Sequence, residues 1–462
     1  MTHTFPQELV EQGLTASTAD GCLVLVRAST SANLRWANNT LTTNGLMHGC
    51  EVTVISAVDG GQGVAAGAVT RSAATVEEVR DIVAAADEAA RASGPAEDAA
   101  ALVEGDASDD FNEAPEPTSI SVFDEFAPSL GEAFGRARSS ERLLYGFVEH
   151  TMASTYVGSS TGLRRRHVQP TGHVGITGKS ADLTSSAWVG QSTRDFRDVD
   201  ATTLDEELAR RLGWAKRTVA MPADRYDTVL PPAAVADLLI YAYWTAGARD
   251  AHEGQTVYSK PGGGTRVGER LSSRPVHVYS DPAYPGLECA PFVTAAASSS
   301  ESSVFDNGLP LGRTDWIRNG ELTALGQTRH SAQMTGLPVT PFVDNLVMDV
   351  DDGVGTVDDL VAGTDRGLLL TCLWYIREVD PQTLLLTGLT RDGVYLVENG
   401  EVTAAVNNFR FNESPVALLD RFSAVGTTGR SFSREWGDYF PRTATPAVRV
   451  ADFNMSSVSQ AQ

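Results

Sequence analysis

The stretch Leu384-Leu-Leu-Thr-Gly-Leu-Thr-Arg-Asp-Gly-Val-Tyr-Leu-Val-Glu-Asn-Gly-Glu-Val-Thr-Ala-Ala-Val-Asn-Asn-Phe-Arg-Phe-Asn-Glu-Ser-Pro415 decides how the fold of this chain is read. Asn399-Gly400 lies between two β-rich runs, and an Asn-Gly pair suits the centre of a two-residue hairpin because both positions need φ above zero. Strands are therefore predicted over 393–398 and 401–411. Upstream, further strands are predicted at 275–279, 313–319, 340–349 and 368–376, with a helix at 357–362; downstream, a short strand covers 447–452. Residues 233–246 are almost wholly apolar and follow Pro231-Pro232. Proline is tolerated in a first helical turn, and a helix without a polar face is a buried one. The C-terminal half thus reads as β-rich structure around a buried helix.

The first half mixes both element types. Residues 22–27 and 51–56 read as strands, 34–43 as strand, turn and strand about Asn38-Asn39, and Asp59-Gly60-Gly61 as a turn. Val76, Val79, Ile82, Val83 and Ala86 recur at helical spacing, which predicts a helix over 75–92, with Glu77-Glu78 suiting its positive end. A helix near 130–138 precedes strand candidates at 143–150, 154–158, 163–172, 173–179 and 181–190, and 204–216 reads as an amphipathic helix. Between Arg91 and Arg136 there is no Lys or Arg but eleven Asp or Glu residues, so the Pro-containing middle of this window reads as an exposed connector. The expected organisation is α+β, with mixed β-sheets and packed helices in two to three domains. These are an N-terminal α+β domain (1–105), an acidic linker (106–120), a central β-rich domain (121–222) and a C-terminal α+β domain (223–462).

Composition narrows the function classes. At 462 residues and 42% hydrophobic content the chain is a globular protein of more than one core. No apolar run approaches the roughly 20 residues that span a bilayer, and the N-terminus has neither a basic region nor an apolar one. Cys22, Cys50, Cys289 and Cys372 form no CxxC pair, so reduced thiols and a cytoplasmic location are expected. A net charge of −23 repels phosphate backbones, so neither nucleic acid nor membrane is an expected partner. Arg164-Arg165-Arg166-His167 is the one compact basic run; it could contact an anion, but a solvated surface beside a strand explains it more simply.

Four motifs invite a chemical reading and none carries one. His252-Glu253 begins like a zinc-protease helix, yet Thr256 and Val257 stand where a second His would fall, and Gly254 argues against helix there. Ser298-Ser-Ser-Glu-Ser-Ser303 lacks a GxSxG elbow. Pro261-Gly-Gly-Gly264 is not followed by GK[ST]. Asp349-Val-Asp-Asp-Gly353 starts like a calcium loop but has Gly353 at the third ligand position and no closing Glu.

The opening stretch also resembles the C-terminal signature of the TldD/PmbA family, in which a Gly-bearing strand, an ENGE turn (Glu398 to Glu401) and an NFRF strand (Asn408 to Phe411) follow in this order. Asn345-Leu346, Thr356-Val-Asp-Asp-Leu360, Asp365-Arg-Gly-Leu-Leu-Leu-Thr371 and Arg35-Trp-Ala-Asn-Asn39 fit as well, so the resemblance spans the chain. The resemblance implies a family of paired subunits: TldD-like chains with an HExxxH helix and a C-terminal Cys that bind zinc, and TldE (PmbA)-like chains without them. Here the corresponding helix at 233–246 has no His, and 446–462 has no Cys. Gln255-Thr-Val-Tyr-Ser-Lys260 and Ala447-Val-Arg-Val-Ala-Asp-Phe453 resemble the TldE kind, although Thr256 replaces a Ser. The implied function is a subunit with no metal or cofactor of its own in a zinc metallopeptidase, acting on an unfolded peptide or peptide-like intermediate, with zinc in a TldD-like partner. No catalytic residue is expected in this chain. Asn407, Asn408, Arg410, Tyr258 and Lys260 are the candidate substrate contacts, Arg410 because a guanidinium can fix a peptide carboxylate. A non-enzymatic regulator of the gyrase or toxin–antitoxin type, or a homo-oligomeric hydrolase, are the alternatives.

Overall fold

The computed structural model describes residues 4–460. The architecture is mixed α+β. Its first sheet is antiparallel, built from β1 (Gly21–Ala37), β2 (Thr40–Asp59), β3 (Val64–Ser72), β4 (Arg142–Ser159), β5 (Arg164–Ser180) and β6 (Ser186–Thr193) in the order β3-β2-β1-β4-β5-β6. Asn38 and Asn39, at φ 50° and 58°, make the β1–β2 turn, as their tolerance of the left-handed region predicts. β4 and β5 pair without interruption from Arg142–Ser180 to Gly158–Arg164, where the sequence suggests four shorter strands. Pro170 and Gly172 blur the pattern. Pro170 is tolerated because β6 pairs only residues 172–179, leaving it on an edge.

Alternation along β1 sorts the core. Val24 and Val26 pack on Leu9 of α1 (Pro6–Ala16) and on Val79 and Ile82 of α2 (Val76–Ala92). Further along the same face, Ala32, Leu34 and Trp36 pack with Phe126 and Leu130 of α3 (Phe126–Ser139) and Leu208 of α4 (Ala201–Trp214). Leu23 and Leu25 point the other way, onto Phe292 and Phe305. One face of the sheet therefore carries four helices, and the other meets the C-terminal half.

The acidic connector departs from expectation. It joins two strands of one sheet rather than two sheets, since β1 and β4 pair from Leu23–Ser159 to Trp36–Gly146. Nor is it simply exposed: Phe111 is buried edge-on to Tyr156, and the Tyr156 hydroxyl donates to the Glu113 carbonyl at 2.6 Å. Its acids meet the basic run. Arg166, only 8% exposed, reaches Asp110 at 3.4 Å, Glu113 at 3.3 Å and Glu116 at 3.7 Å, while Arg164 pairs with Glu11 and Arg165 donates to the Asp106 carbonyl. Arg165 and Arg166 thus serve the connector, while Arg164 serves α1.

The C-terminal half builds a second six-stranded sheet and a ten-stranded one. The larger runs through Leu373–Asp380, Leu385–Thr390, Phe409–Glu413, Val448–Val458, Arg225–Leu230, Arg366–Leu370, Val394–Glu398, Glu401–Val406 and Thr218–Val219, with Phe422–Val425 as a tenth strand pairing with Val448–Val458. Helix α5 (Pro232–Trp244) is buried among these strands, as its composition predicts. The predicted strand over 368–376 breaks at Thr371-Cys372, the one over 401–411 breaks at Asn407-Asn408, and 340–349 contributes only Leu346–Val350. Among the described residues no helix is long and apolar enough to cross a membrane.

Candidate functional site

The face of the first sheet that turns away from α3 and α4 presents two cross-strand rows, Arg35–Phe147–Gly175–Gly190 and Tyr145–Thr177–Trp188. Segment 432–438 of the C-terminal half lies over them, and a cleft of about 540 Å³ remains between. Gly190 is required for that approach: a Cβ there would fall 2.3 Å from the Trp188 ring and 2.8 Å from Phe432.

The overlying segment is fastened to α5 by one residue. Asp237, the only charged side chain in α5, is fully buried. The Ser433 hydroxyl and the Glu435 N–H (2.8 Å) donate to one carboxylate oxygen, and the Arg434 N–H reaches the other at 3.4 Å. The Trp436 indole N–H adds a bond to the Asp237 carbonyl at 3.1 Å. Burial pushes the Asp237 carboxyl up to about 7, against the opposing effect of these donors.

Charge in the cleft is divided. His173 stacks on Phe432 with centroids 5.4 Å apart and lies 3.5 Å from Asp438; burial holds its pKa below the ordinary value, and Asp438 opposes that shift. Burial, then Asp438, raise the nearby Glu149 carboxyl. On the other side, the guanidinium of Arg434 lies 3.8 Å from the Trp374 ring centre and 5.2 Å from that of Trp188. Its Nε is buried without a hydrogen-bond partner. An aromatic-walled cleft with a stacked cation can hold an extended peptide and orient a polar or anionic group on it.

A family model described as "PmbA/TldA metallopeptidase C-terminal domain" matches residues 223–457. The chain belongs to the PmbA/TldA metallopeptidase family. TldE from Thermococcus kodakarensis superposes with a TM-score of 0.76 at 18% identity, covering 97% of this chain and 99% of that one. Two proteins named as candidate modulators of DNA gyrase superpose at 0.73 with 14% identity. The one from Thermotoga maritima covers 94% of this chain and 95% of its own, and the one from Bacteroides thetaiotaomicron 98% of each. No curated protein sequence matches the chain.

Against the zinc chemistry implied by this PmbA/TldA membership, the residues around α5 do not fit a zinc set. Asp237 is the single carboxylate of the helix and is taken up by the loop donors. Among the described residues no three His, Cys, Asp or Glu side chains converge as ligands. His252 ends the short helix α6 (Ala248–His252), and Glu253 pairs with Arg249 at 3.1 Å and accepts from Gln255 at 2.9 Å.

The five predicted contact residues lie outside this cleft's lining and have separate surroundings. Tyr258 is buried, its hydroxyl donating to the Ala242 carbonyl at 3.1 Å, and burial raises its pKa. Lys260 is 3.8 Å from Glu269. Asn407 accepts from the Met221 N–H at 2.6 Å, and the Asn408 carbonyl accepts from the Ser459 N–H. Arg410 is exposed on its strand, 3.3 Å from the Thr387 hydroxyl. Asp237 and Arg434 escaped the sequence reading. The signal for Asp237 was present, as a lone charge in an otherwise apolar helix.

Proposed function

We propose that this chain is a TldE-like subunit without zinc of its own, paired with a zinc-bearing TldD-like chain to hydrolyse peptide or amide bonds. The substrate is an unstructured peptide or a peptide-like intermediate. This chain supplies the aromatic cleft that holds and orients it, and the partner supplies the metal and the base. The observation that carries the reading is the use made of α5. The resemblance sets this helix where TldD-like chains carry their metal-binding His pair, and here its one carboxylate ties down the cleft's covering segment instead. The regulatory alternative leans on neighbours at 14% identity, whose likeness extends to fold alone.

Elemental analysis tests the metal assignment. The purified chain is expected to hold well under ~0.1 zinc per molecule, because tight zinc sites need three or four converging ligands. About one zinc per chain, lost in a His252→Ala variant, would overturn it.

A further inference from the structure

We infer that Arg434 is the receptor for a carboxylate of the peptide held in the cleft. The inference rests on the substrate-holding role proposed above and names the chemistry that role selects. Arg434 has no salt-bridge partner and its guanidinium has no hydrogen-bond acceptor among the described residues; only its backbone N–H is bonded, to Asp237. Nearby carboxylates are committed elsewhere: Glu435 lies 3.7 Å from Arg377 and accepts from the Ile376 N–H, Asp392 accepts from Ser186, and Asp438 faces His173. In a chain of net charge −23, a partly buried arginine left unpaired is unusual, since removing a guanidinium from water costs free energy that a partner normally offsets.

Its setting suits one class of ligand. Trp374 and Trp188 hold the guanidinium by cation–π contact, and its in-plane N–H edge is the part that meets a carboxylate bidentately. The anchoring of 433–435 on Asp237 fixes the backbone beneath it, so little freedom is lost when a ligand binds. Arg35, also on the cleft and also without an ion pair, adds a second positive charge, while Phe147 and Phe432 give an apolar wall for the residue that bears the acid. The carboxylate is either the C-terminus of the peptide or an acidic side chain.

Binding of short synthetic peptides to the purified full chain, followed by calorimetry, tests this and separates the two sources. Three probes share one apolar sequence: a free C-terminal acid, its C-terminal amide, and the amide with one internal Glu. At least one acid-bearing probe is expected to bind roughly tenfold or more tighter than the plain amide. Arg434→Met should abolish that preference, with Arg434→Lys intermediate and Arg410→Met without effect. Whichever acid shows the preference identifies the source. Equal binding of all three probes, or a preference that survives in Arg434→Met, would overturn the inference; should the Met variant fail to fold, an undiminished preference in Arg434→Lys would do so. Because binding is read without a partner chain, a failure of partner-dependent cleavage would count against the subunit reading and not against this one.

Discussion

Asp237 concentrates several consequences in one side chain. Its replacement by Ala would leave the Ser433 hydroxyl and the Glu435 N–H without an acceptor in a buried site. Unpaired buried donors cost about 1–3 kcal/mol each, so Asp237→Ala is expected to lower stability by about 3 kcal/mol in urea unfolding, and to loosen segment 432–438 with it. The pH dependence has a definite sign. A carboxyl raised from 3.8 to about 7 holds its proton more tightly in the folded chain than in the unfolded one. Its contribution is full below about pH 4 and is lost as pH climbs to about 7. The stability of the wild-type chain relative to Asp237→Asn should therefore grow as pH falls from 7 to 4, and a gap that narrows on acidification would contradict the assignment. Glu253 makes the opposite case. Its carboxylate serves a local ion pair with Arg249, so Glu253→Gln should reduce turnover of the assembled enzyme by less than about tenfold, or roughly 1.4 kcal/mol of barrier.

At the scale of elements, helices α2 to α5 and the Asn-bearing turns were legible, whereas α1 and the full length of the strands were not. The residues 75–92 declare a helix through apolar spacing and Glu77-Glu78 at its start; the structure begins α2 one residue later and closes its first turn with a Thr75–Glu78 capping box. Thr75→Ala should cost about 1 kcal/mol by removing that cap. The close seat of α2 on β3 was invisible, because it depends on contact between distant segments: a Cβ on Gly67 would lie 2.3 Å from the Ala90 nitrogen and 2.4 Å from the Ala86 carbonyl oxygen. Gly67→Ala is expected to destabilise by about 2 kcal/mol or more, read as a lower thermal midpoint, since backbone cannot yield as a side chain can. The strand misreadings share a cause. Gly172 looks like a break in isolation, whereas 17 consecutive pairs with β4 hold β5 straight through it. The cleft was hidden for a similar reason: Trp188, Arg434 and Trp374 meet only through tertiary packing, and no spacing rule brings residues so far apart in sequence together.

At the scale of the molecule, the surface bears on assembly. β2 pairs with β3 only from Glu51 to Asp59, so its first half has a free edge; Thr40 to Cys50 contains no Asp, Glu, Lys or Arg, and Leu41, Leu46 and Met47 are each about half exposed there (47%, 49% and 52%). Free strand edges are normally guarded by charge, and an unguarded one invites another strand. On the proposed pairing, the expected occupant is a strand of the TldD-like chain, since two copies of this chain, each with a net charge of −23, repel one another overall. Met47→Lys should then weaken association with that chain by about tenfold or more in sedimentation, with the variant's own stability little changed. The most direct measurement mixes this chain with a separately purified TldD-like chain and follows cleavage of an unstructured peptide alongside sedimentation. Cleavage is expected only in the fraction that sediments as the pair, with neither chain active alone; a partner that cleaves the same peptide at full rate by itself would show that this chain is not a working subunit of the peptidase.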